Sequence, residues 1–301
     1  MNIKTILHPT DFSSCAKRAL EQAAELARMF EARLHLFHKV VYPLPVVPPE
    51  MVRQLEDSER VERLLKESLE RPELEARRKL DSRVETLRGM GLEVTASLEK
   101  SGSPFEALLE NVEKIRPDLI VMGTHGREGL EKVLVGSVTE KILRHGTTNV
   151  MTVAASASVA DGRHGFGTVL VPVDFSDYSQ RAVVAARWLV SRGGGSLCLL
   201  HVIEPVHSPF HPGKLVSPTK VDPALAGRYE TALEGVLGDS PGEVLVVEGN
   251  VPAKILQLRE KVGASLVVMG TRGLSGVKHL LMGSVTQKII PFCEVPVMVV
   301  R

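Results

Sequence analysis

The sequence runs through the same order of motifs twice, and this duplication limits the possible folds more than any other feature. Residues 5–13 (TILHPTDFS) match residues 168–176 (TVLVPVDFS), and residues 118–126 (DLIVMGTHG) match residues 265–273 (SLVVMGTRG). Because the matching segments occupy corresponding positions in two long halves, the repeated unit is a whole domain and not a short solenoid repeat.

The boundary between the halves is visible in the composition. Residues 154–167 (AASASVADGRHGFG) are small, polar and rich in glycine, as expected of a linker. A chain of 301 residues is also long enough for two domains of ~150 residues each. The sequence therefore predicts domain 1 at residues 1–155 and domain 2 at residues 166–301.

Each half alternates short apolar runs with longer stretches of helical periodicity. Near-continuous apolar runs indicate strands buried on both faces, and strand–helix alternation indicates crossover connections within a parallel sheet. The expected fold class is α/β, with two tandem domains, each a five-stranded parallel sheet flanked by helices. The predicted strands are residues 3–8, 34–40, 92–98, 119–122 and 150–153 in domain 1, and 169–173, 197–203, 244–247, 266–269 and 295–300 in domain 2.

The bulk composition excludes several classes of protein. The formal net charge is +1 and aromatic residues make up 4%, so neither a broad basic face for nucleic acid nor a stacking platform for single strands is expected. No apolar run reaches the ~20 residues of a membrane span, and the first residues lack the features of a signal peptide. Cys15, Cys198 and Cys293 form no CxxC pair, which favours reduced thiols. We expect a cytoplasmic protein.

A charge-rich stretch in domain 1, residues 50–88, has no equally long counterpart in domain 2. We expect helical structure that is broken near Pro72, with Leu80, Val84 and Leu87 on one apolar face. Because the charges are of both signs, the opposite face is predicted to be solvated, and a helix that binds a partner protein is the alternative.

A glycine motif occurs once in each half, with two residues between the first glycines and nine before a Gly-Ser pair. Each copy joins the end of a predicted strand to the start of a predicted helix, where open α/β sheets bind ligands and where helix N–H groups attract phosphate. Residues 137–140 and 284–287 also fit capping boxes, which need no ligand. The motif residues are Gly123, Gly126, Gly136 and Ser137, and Gly270, Gly273, Gly283 and Ser284.

A carboxylate follows the first strand of each half, Asp11 in domain 1 and Asp174 in domain 2. Either aspartate could cap the helix that follows it. A carboxylate at this edge of the sheet could also accept a hydrogen bond from an adenine amino group or a ribose hydroxyl. Together with a phosphate site, the second interpretation predicts a nucleotide lying across the sheet edge.

The segments PTDFS and PVDFS, the histidines His38 and His201, and the duplicated G-x2-G-x9-G-S pattern resemble the universal stress protein family. The resemblance covers nearly the whole chain, and the glycine-serine motif is similar to that of the ATP-binding branch. It implies a Rossmann-like domain with strand order 3-2-1-4-5. It also implies dimerisation through the last strand, which a tandem chain can achieve internally by pairing residues 150–153 with 295–300, and it leaves a further homodimer open.

The resemblance also implies contacts for an adenine nucleotide. The base and ribose would contact Pro9, Thr10, Asp11 and Lys39 in domain 1, and Pro172, Val173, Asp174 and Val202 in domain 2. The phosphates would contact Gly123, His125, Gly126, Gly136, Ser137, Val138 and Thr139, and then Gly270, Arg272, Gly273, Gly283, Ser284, Val285 and Thr286. Met122 and Met269, beside the first glycines, complete the set. Lys39 departs from the family pattern, which usually has an apolar residue there.

These features predict a stress-response regulatory protein that binds ATP, AMP or ADP at two sites, with Mg²⁺. The loop GxxxxGK[ST] and the segments HExxH and GxSxG are absent, so no catalytic residue and no metal-binding residue is predicted. Two alternatives stay open: a slow ATPase that acts as a timer, and a protein-interaction module that needs no nucleotide.

Overall fold

The computed structural model describes residues 1–42, 58–125, 135–157, 165–207, 215–271 and 282–301. The strands are β1 (Thr5–Pro9), β2 (Arg33–Lys39), β3 (Val94–Glu99), β4 (Leu119–Gly123), β5 (Asn149–Val153), β6 (Thr168–Pro172), β7 (Ser196–Ile203), β8 (Val206–His207), β9 (Leu215–Val216), β10 (Gly242–Glu248), β11 (Ala264–Gly270) and β12 (Val297–Val300). The helices are α1 (Ser14–Phe30), α2 (Ser58–Gly89), α3 (Pro104–Ile115), α4 (Ser137–His145), α5 (Asp177–Gly193), α6 (Pro218–Val221), α7 (Leu225–Leu237), α8 (Val251–Lys261) and α9 (Ser284–Ile289).

Each half forms a parallel sheet with the strand order expected from the sequence. The order is β3-β2-β1-β4-β5 in the first half and β10-β7-β6-β11-β12 in the second, which is 3-2-1-4-5 in both. The predicted α/β fold with two tandem Rossmann-like domains is confirmed. In the second half, a short hairpin of β8 and β9 follows β7.

Both faces of the sheet are covered by helices, which explains why the central strands are apolar along their whole length. The core on one face includes Leu20 of α1, Leu80 of α2, Leu189 of α5 and Leu233 of α7. The core on the opposite face includes Leu108 of α3, Ile142 of α4, Ile255 of α8 and Ile289 of α9. Each core runs through both halves, and burial of one such side chain contributes about 1.5–3 kcal/mol.

The two halves join edge to edge through their last strands. β12 pairs with β5 in an antiparallel register, with Val297 opposite Thr152 and Val299 opposite Val150. This pairing, which the sequence led us to expect, occurs within one chain and produces one ten-stranded sheet. It covers two apolar edges whose unpaired backbone groups would otherwise be exposed.

Helix packing reinforces the joint between the halves. The Phe30 ring of α1 lies 4.7 Å from Trp188 of α5 and 6.3 Å from Phe166, measured between ring centroids. Phe166 and Ala157, from the two described ends of the predicted linker, are 2% and 1% exposed. Both residues therefore belong to the core that the two halves share.

The helix of the charge-rich stretch is not broken at Pro72, contrary to the sequence-based expectation. α2 continues through the proline from Ser58 to Gly89. Leu80, Val84 and Leu87 are buried as predicted, and Ala76 extends the stripe by one turn towards the proline. We attribute the continuity to this packing against the sheet, since tertiary contacts can offset the hydrogen bond that proline cannot donate.

Arg301 of domain 2 contacts a helix of domain 1. Its guanidinium Nη2 donates to the carbonyl oxygens of Ile142 and Leu143 at 3.0 and 2.5 Å, close to the C-terminus of α4. Its backbone N–H donates to the Asn149 side chain at 3.0 Å. A cation at a helix C-terminus satisfies unpaired carbonyls and interacts favourably with the helix dipole.

We expect Arg301→Ala to lower the free energy of unfolding by about 2 kcal/mol, because two charge-assisted hydrogen bonds to helix carbonyls are lost. Urea denaturation measures the effect. Arg28→Ala is the matched control, since Arg28 pairs with Glu25 only on the exposed surface of one helix and should cost ~0.5 kcal/mol or less. Equal losses for the two variants would contradict the prediction.

Candidate functional site

The first glycine of each motif is required by helix packing. A Cβ atom on Gly123 would lie 2.8 Å from the Cys15 Sγ and 3.2 Å from the Cys15 carbonyl carbon, in the first turn of α1. A Cβ atom on Gly270 would lie 2.8 Å from the backbone of Tyr178, in the first turn of α5. Any side chain would push the helix away from the strand end, so these glycines are explained without a ligand.

The Gly-Ser turns are held by the same backbone hydrogen bonds in both halves. Gly136 N–H donates to the Thr124 carbonyl at 2.7 Å, and Gly283 N–H donates to the Thr271 carbonyl at 2.6 Å. Thr124 and Thr271 in turn donate their N–H groups to Val153 and Val300, the last residues of β5 and β12. The start of α4 or α9 is thereby fixed beside the end of the preceding strand.

The capping-box interpretation of residues 137–140 and 284–287 is wrong. The N-cap residues are Gly136 and Gly283, and neither helix start has a side-chain cap. The first helical hydrogen bonds run from Glu140 to the Gly136 carbonyl and from Gln287 to the Gly283 carbonyl. Each helix begins one residue earlier than expected, because the bond to the preceding loop fixes the glycine as N-cap and leaves the serine inside the helix.

An uncapped helix start leaves backbone donors available. The N–H groups of Ser137, Val138 and Thr139 precede the first helical hydrogen bond, so they have no partner within α4. The Thr139 hydroxyl is committed elsewhere, since it donates to the Gly123 carbonyl at 2.9 Å. The corresponding Thr286 hydroxyl donates to Gly270 at 3.3 Å. A ligand would therefore meet backbone N–H groups here rather than the threonine hydroxyls.

The two aspartates do not cap the helices that follow them. The N-caps are Ser13 and Ser176, whose hydroxyls accept from Ala16 and Ser179 N–H groups. Asp11 Oδ1 accepts the Ser13 N–H at 2.9 Å, and Asp174 Oδ1 accepts the Ser176 N–H at 3.1 Å. These bonds orient both carboxylates at the carboxyl end of the first strand of each half.

The turn after each aspartate has an unusual backbone. Phe12 and Phe175 have positive φ angles of 65° and 63°, which are uncommon for residues with a bulky side chain. His38 and His201 stabilise the turns through hydrogen bonds. The ring Nδ1–H of His38 donates to the Thr10 carbonyl at 2.6 Å, and that of His201 donates to the Val173 carbonyl at 2.8 Å. The strand-two histidines are thus structural partners of the aspartate turns.

Domain 1 has several cations at this end of its sheet. Lys39 Nζ donates to the carbonyls of Val40 and Lys100 at 2.7 and 3.2 Å, and desolvation lowers the pKa of Lys39 while Glu99 opposes the shift. The lysine amine is therefore held at the strand end. Arg83 of α2 lies 5.0 Å above the Phe12 ring. Burial lowers the pKa of Arg83, and Asp11 acts in the opposite direction.

Sequence reasoning missed Arg83. Its Nη1 is 3.5 Å from the Thr10 hydroxyl, so the residue belongs to the surroundings of the predicted site. The available signal was its position three residues after Leu80, at the margin of the apolar stripe of α2. A charged residue at such a margin is usually solvated. Arg83 belongs to the site only because α2 approaches the end of β1, which the sequence does not show.

In each half, the structure places most of the predicted residues at the carboxyl ends of the strands. Met122 and Met269 lie buried next to the motif glycines, and Val202 is partly buried at the end of β7. The His125 Nδ1 is 2.9 Å from the Thr124 hydroxyl, and its Nε2 is buried without a hydrogen-bond partner in the described part of the chain. Gly126, Arg272 and Gly273 lie outside the described residues.

The described residues contain no group of three or more His, Cys, Asp or Glu side chains arranged to hold a metal ion. None of their helices is long and apolar enough to cross a membrane. The candidate site therefore consists of backbone N–H groups, two carboxylates and, in domain 1, nearby cations.

Both halves of the chain match one known protein family. The universal stress protein family matches residues 2–154 and again residues 165–301. The chain belongs to the universal stress protein family. A universal stress protein of Thermus aquaticus is 34% identical over 142 residues, which cover 45% of this chain and 99% of that protein. One from Mycobacterium bovis is 30% identical over 186 residues, which cover 61% of this chain and 62% of that protein.

A solved structure extends the similarity to the full tandem arrangement. The universal stress protein from Archaeoglobus fulgidus has a TM-score of 0.68 and 22% identity, with 99% of this chain and 98% of that chain covered. At this identity the similarity concerns the fold alone. Two universal stress protein domains arranged in tandem therefore describe the whole of this chain.

Proposed function

We propose that this universal stress protein binds adenine nucleotides, ATP or its products AMP and ADP, with Mg²⁺, at one site in each domain. The observation that carries the proposal is the start of α4, where no side chain caps the helix and the first N–H groups have no partner within it, at the same end of the strands as Asp11. The positive end of the helix dipole favours phosphate, and the carboxylate favours the amino or hydroxyl groups of a nucleoside. The duplicated turn at Gly283 and Asp174 supports a second site in domain 2.

Domain 2 is expected to bind nucleotide more tightly than domain 1. Val202 offers an apolar contact for a base, whereas Lys39 places an ammonium group at the same position. Arg83 also lies close enough to Asp11 to weaken the attraction of that carboxylate for a ligand donor. Calorimetric titration with ATP and Mg²⁺ should resolve two unequal sites per chain, and one class of identical sites would contradict the ranking.

Identification of small molecules that copurify with the protein tests the proposal directly. An adenine nucleotide in the purified protein, or saturable binding in the titration, separates a nucleotide-binding regulator from an interaction module that needs no nucleotide. No copurified nucleotide and no binding of ATP, ADP or AMP would remove the proposal and favour α2 as a contact for a protein partner.

Hydrolysis of ATP is expected to be slow, well below the ~10 per second of a typical enzyme. Backbone N–H groups bind the ground state about as well as the transition state, so they give affinity with little rate. His125 and Arg272 occupy corresponding positions with different chemistry, which argues against one reaction selected twice. Steady-state turnover is the measurement. Rapid turnover that disappears in His125→Ala or Arg272→Ala would favour the ATPase alternative.

A further inference from the structure

A cavity of about 180 Å³ lies beneath α2 in domain 1. Phe12, His38, Pro72, Ala76 and Lys79 are among the residues that line it. The residue before His38 in β2 belongs to the core of the opposite face of the sheet. Because successive side chains of a strand point to opposite faces, His38 and the cavity lie on the face that α1 and α2 cover. The cavity is therefore separated by the sheet from Met122 and the other residues that pack on the α3–α4 face.

Domain 2 has a corresponding pair of rings. Phe175 and His201 correspond to Phe12 and His38, and their ring centroids are 5.1 Å apart, compared with 4.4 Å in domain 1. In domain 2 a third ring joins the pair. Tyr229 of α7 lies 4.2 Å from His201 and 5.8 Å from Phe175, stacked on the latter with an interplanar angle of 21°.

The two halves therefore cover their Phe–His pairs with different side chains. α7 and α2 each connect the second and third strands of their half, so they cover equivalent positions of the sheet. α7 contributes a phenol ring against the Phe–His pair, whereas α2 contributes the small Ala76 and two cations over the Phe12 ring, Lys79 at 5.8 Å and Arg83 at 5.0 Å. Tyr229 thus shows which chemical group complements a Phe–His pair in this fold.

We propose that the domain 1 cavity binds a small phenol, a single aromatic ring carrying a hydroxyl group. The cavity is half open and partly polar, and its volume is sufficient for one six-membered ring, since an enclosed apolar cavity of about 150 Å³ is known to accept benzene. Phe12 and His38 supply ring contacts of the kind that Tyr229 makes in domain 2. Lys79 and Glu75, one helical turn apart on α2, line the same cavity and provide a donor and an acceptor for the hydroxyl.

The phenol site is distinct from the proposed nucleotide site but shares a turn with it. Phe12 directly follows Asp11, and His38 donates to the carbonyl of Thr10. A bound phenol would therefore pack behind the aspartate turn, on the side of the sheet remote from Met122. The inference does not depend on nucleotide binding, because it rests on the cavity and on the comparison with Tyr229.

Titration with p-cresol, which carries the ring and hydroxyl of a tyrosine side chain, tests the proposal by calorimetry. The full-length protein should bind one p-cresol per chain. Ala76→Leu, which fills the cavity from α2, should weaken binding at least tenfold. Tyr229→Ala, which opens the equivalent space in domain 2, should raise the stoichiometry from one to two, and Ala76→Leu combined with Tyr229→Ala should return it to one.

Three results would overturn the proposal. The first is no binding to the full-length protein at millimolar p-cresol, and the second is unchanged affinity in a folded Ala76→Leu variant. The third is competitive displacement of p-cresol by ATP, which would assign the ring to the nucleotide site. If Ala76→Leu does not fold, the stoichiometry of Tyr229→Ala decides, because a value that stays at one is incompatible with the inferred equivalence.

Discussion

Gly283→Val is expected to abolish nucleotide binding in domain 2, with a loss of at least a hundredfold in affinity, about 2.7 kcal/mol. Gly283 is the N-cap of α9, at the point where phosphate would approach the first N–H groups, and a branched side chain there would occupy the space of the ligand. Its φ of −68° and ψ of 147° are accessible to valine, so the backbone need not change. Gly136→Val should do the same in domain 1.

Calorimetric titration with ATP and Mg²⁺ measures this effect site by site. Each single variant should retain one site, and the variant that carries both changes should retain none. Urea denaturation is the control, because the backbone conformation at Gly283 is accessible to valine and the variant should remain folded. Full binding by a folded Gly283→Val variant would show that the phosphates do not lie at this helix start.

Acidification is expected to destabilise the protein through His8. This histidine of β1 is 0% exposed, its Nδ1 donates to the Val121 carbonyl at 2.9 Å, and its Nε2 has no partner in the described part of the chain. Burial lowers the pKa of His8 from 6.5 to about 4, the Val121 bond and Asp11 oppose the shift, and the nearby Arg83 adds to it. The folded protein therefore disfavours the charged imidazolium.

The sign and size follow from proton linkage. The unfolded chain binds a proton at His8 below about pH 6.5, whereas the folded chain binds it only near pH 4. Above pH 6.5, His8 is neutral in both states and the free energy of unfolding keeps its full value. As the pH falls from 6.5 towards 4, the free energy of unfolding decreases by about 3 kcal/mol. Urea denaturation at several pH values between 7 and 4 measures the loss.

His8→Val provides the control, because Val171 occupies the corresponding position of domain 2. The variant should be at least as stable as the natural protein at pH 7, since an unpaired buried nitrogen is removed. Burial also lowers the pKa of His35, but both proteins contain that histidine. The difference between the two pH profiles therefore gives the contribution of His8 alone. Parallel profiles for His8→Val and the natural protein would contradict the assignment.

Much of the fold could be predicted because its signals are local. Runs such as LIVMG in β4 and VMVV in β12 are apolar throughout, and this indicates strands buried on both faces wherever they occur. The repeat then required both halves to adopt one topology. The pairing of β5 with β12 was implied by the resemblance to the universal stress protein family, and the apolar character of both edges is consistent with it.

The candidate site was predicted less completely. The sequence indicated the strand ends, the aspartates and the helix starts, but it placed the helix caps on the wrong residues. Whether Gly136 or Ser137 is the N-cap depends on a hydrogen bond to Thr124, twelve residues earlier in the chain. The first glycine was assigned to a ligand, although the first turn of α1 approaches it so closely that no side chain fits.

The sequence by itself determined the number of domains, the order of strands and helices along the chain, and the strand ends that the motif residues of each half follow. Periodicity and repetition fix these features through interactions of near neighbours. Only the tertiary structure decided that Arg83 lies above Phe12, that Tyr229 stacks on Phe175, and that Arg301 contacts α4. Each of these contacts joins residues far apart in the chain, and its geometry depends on how whole helices pack against the sheet.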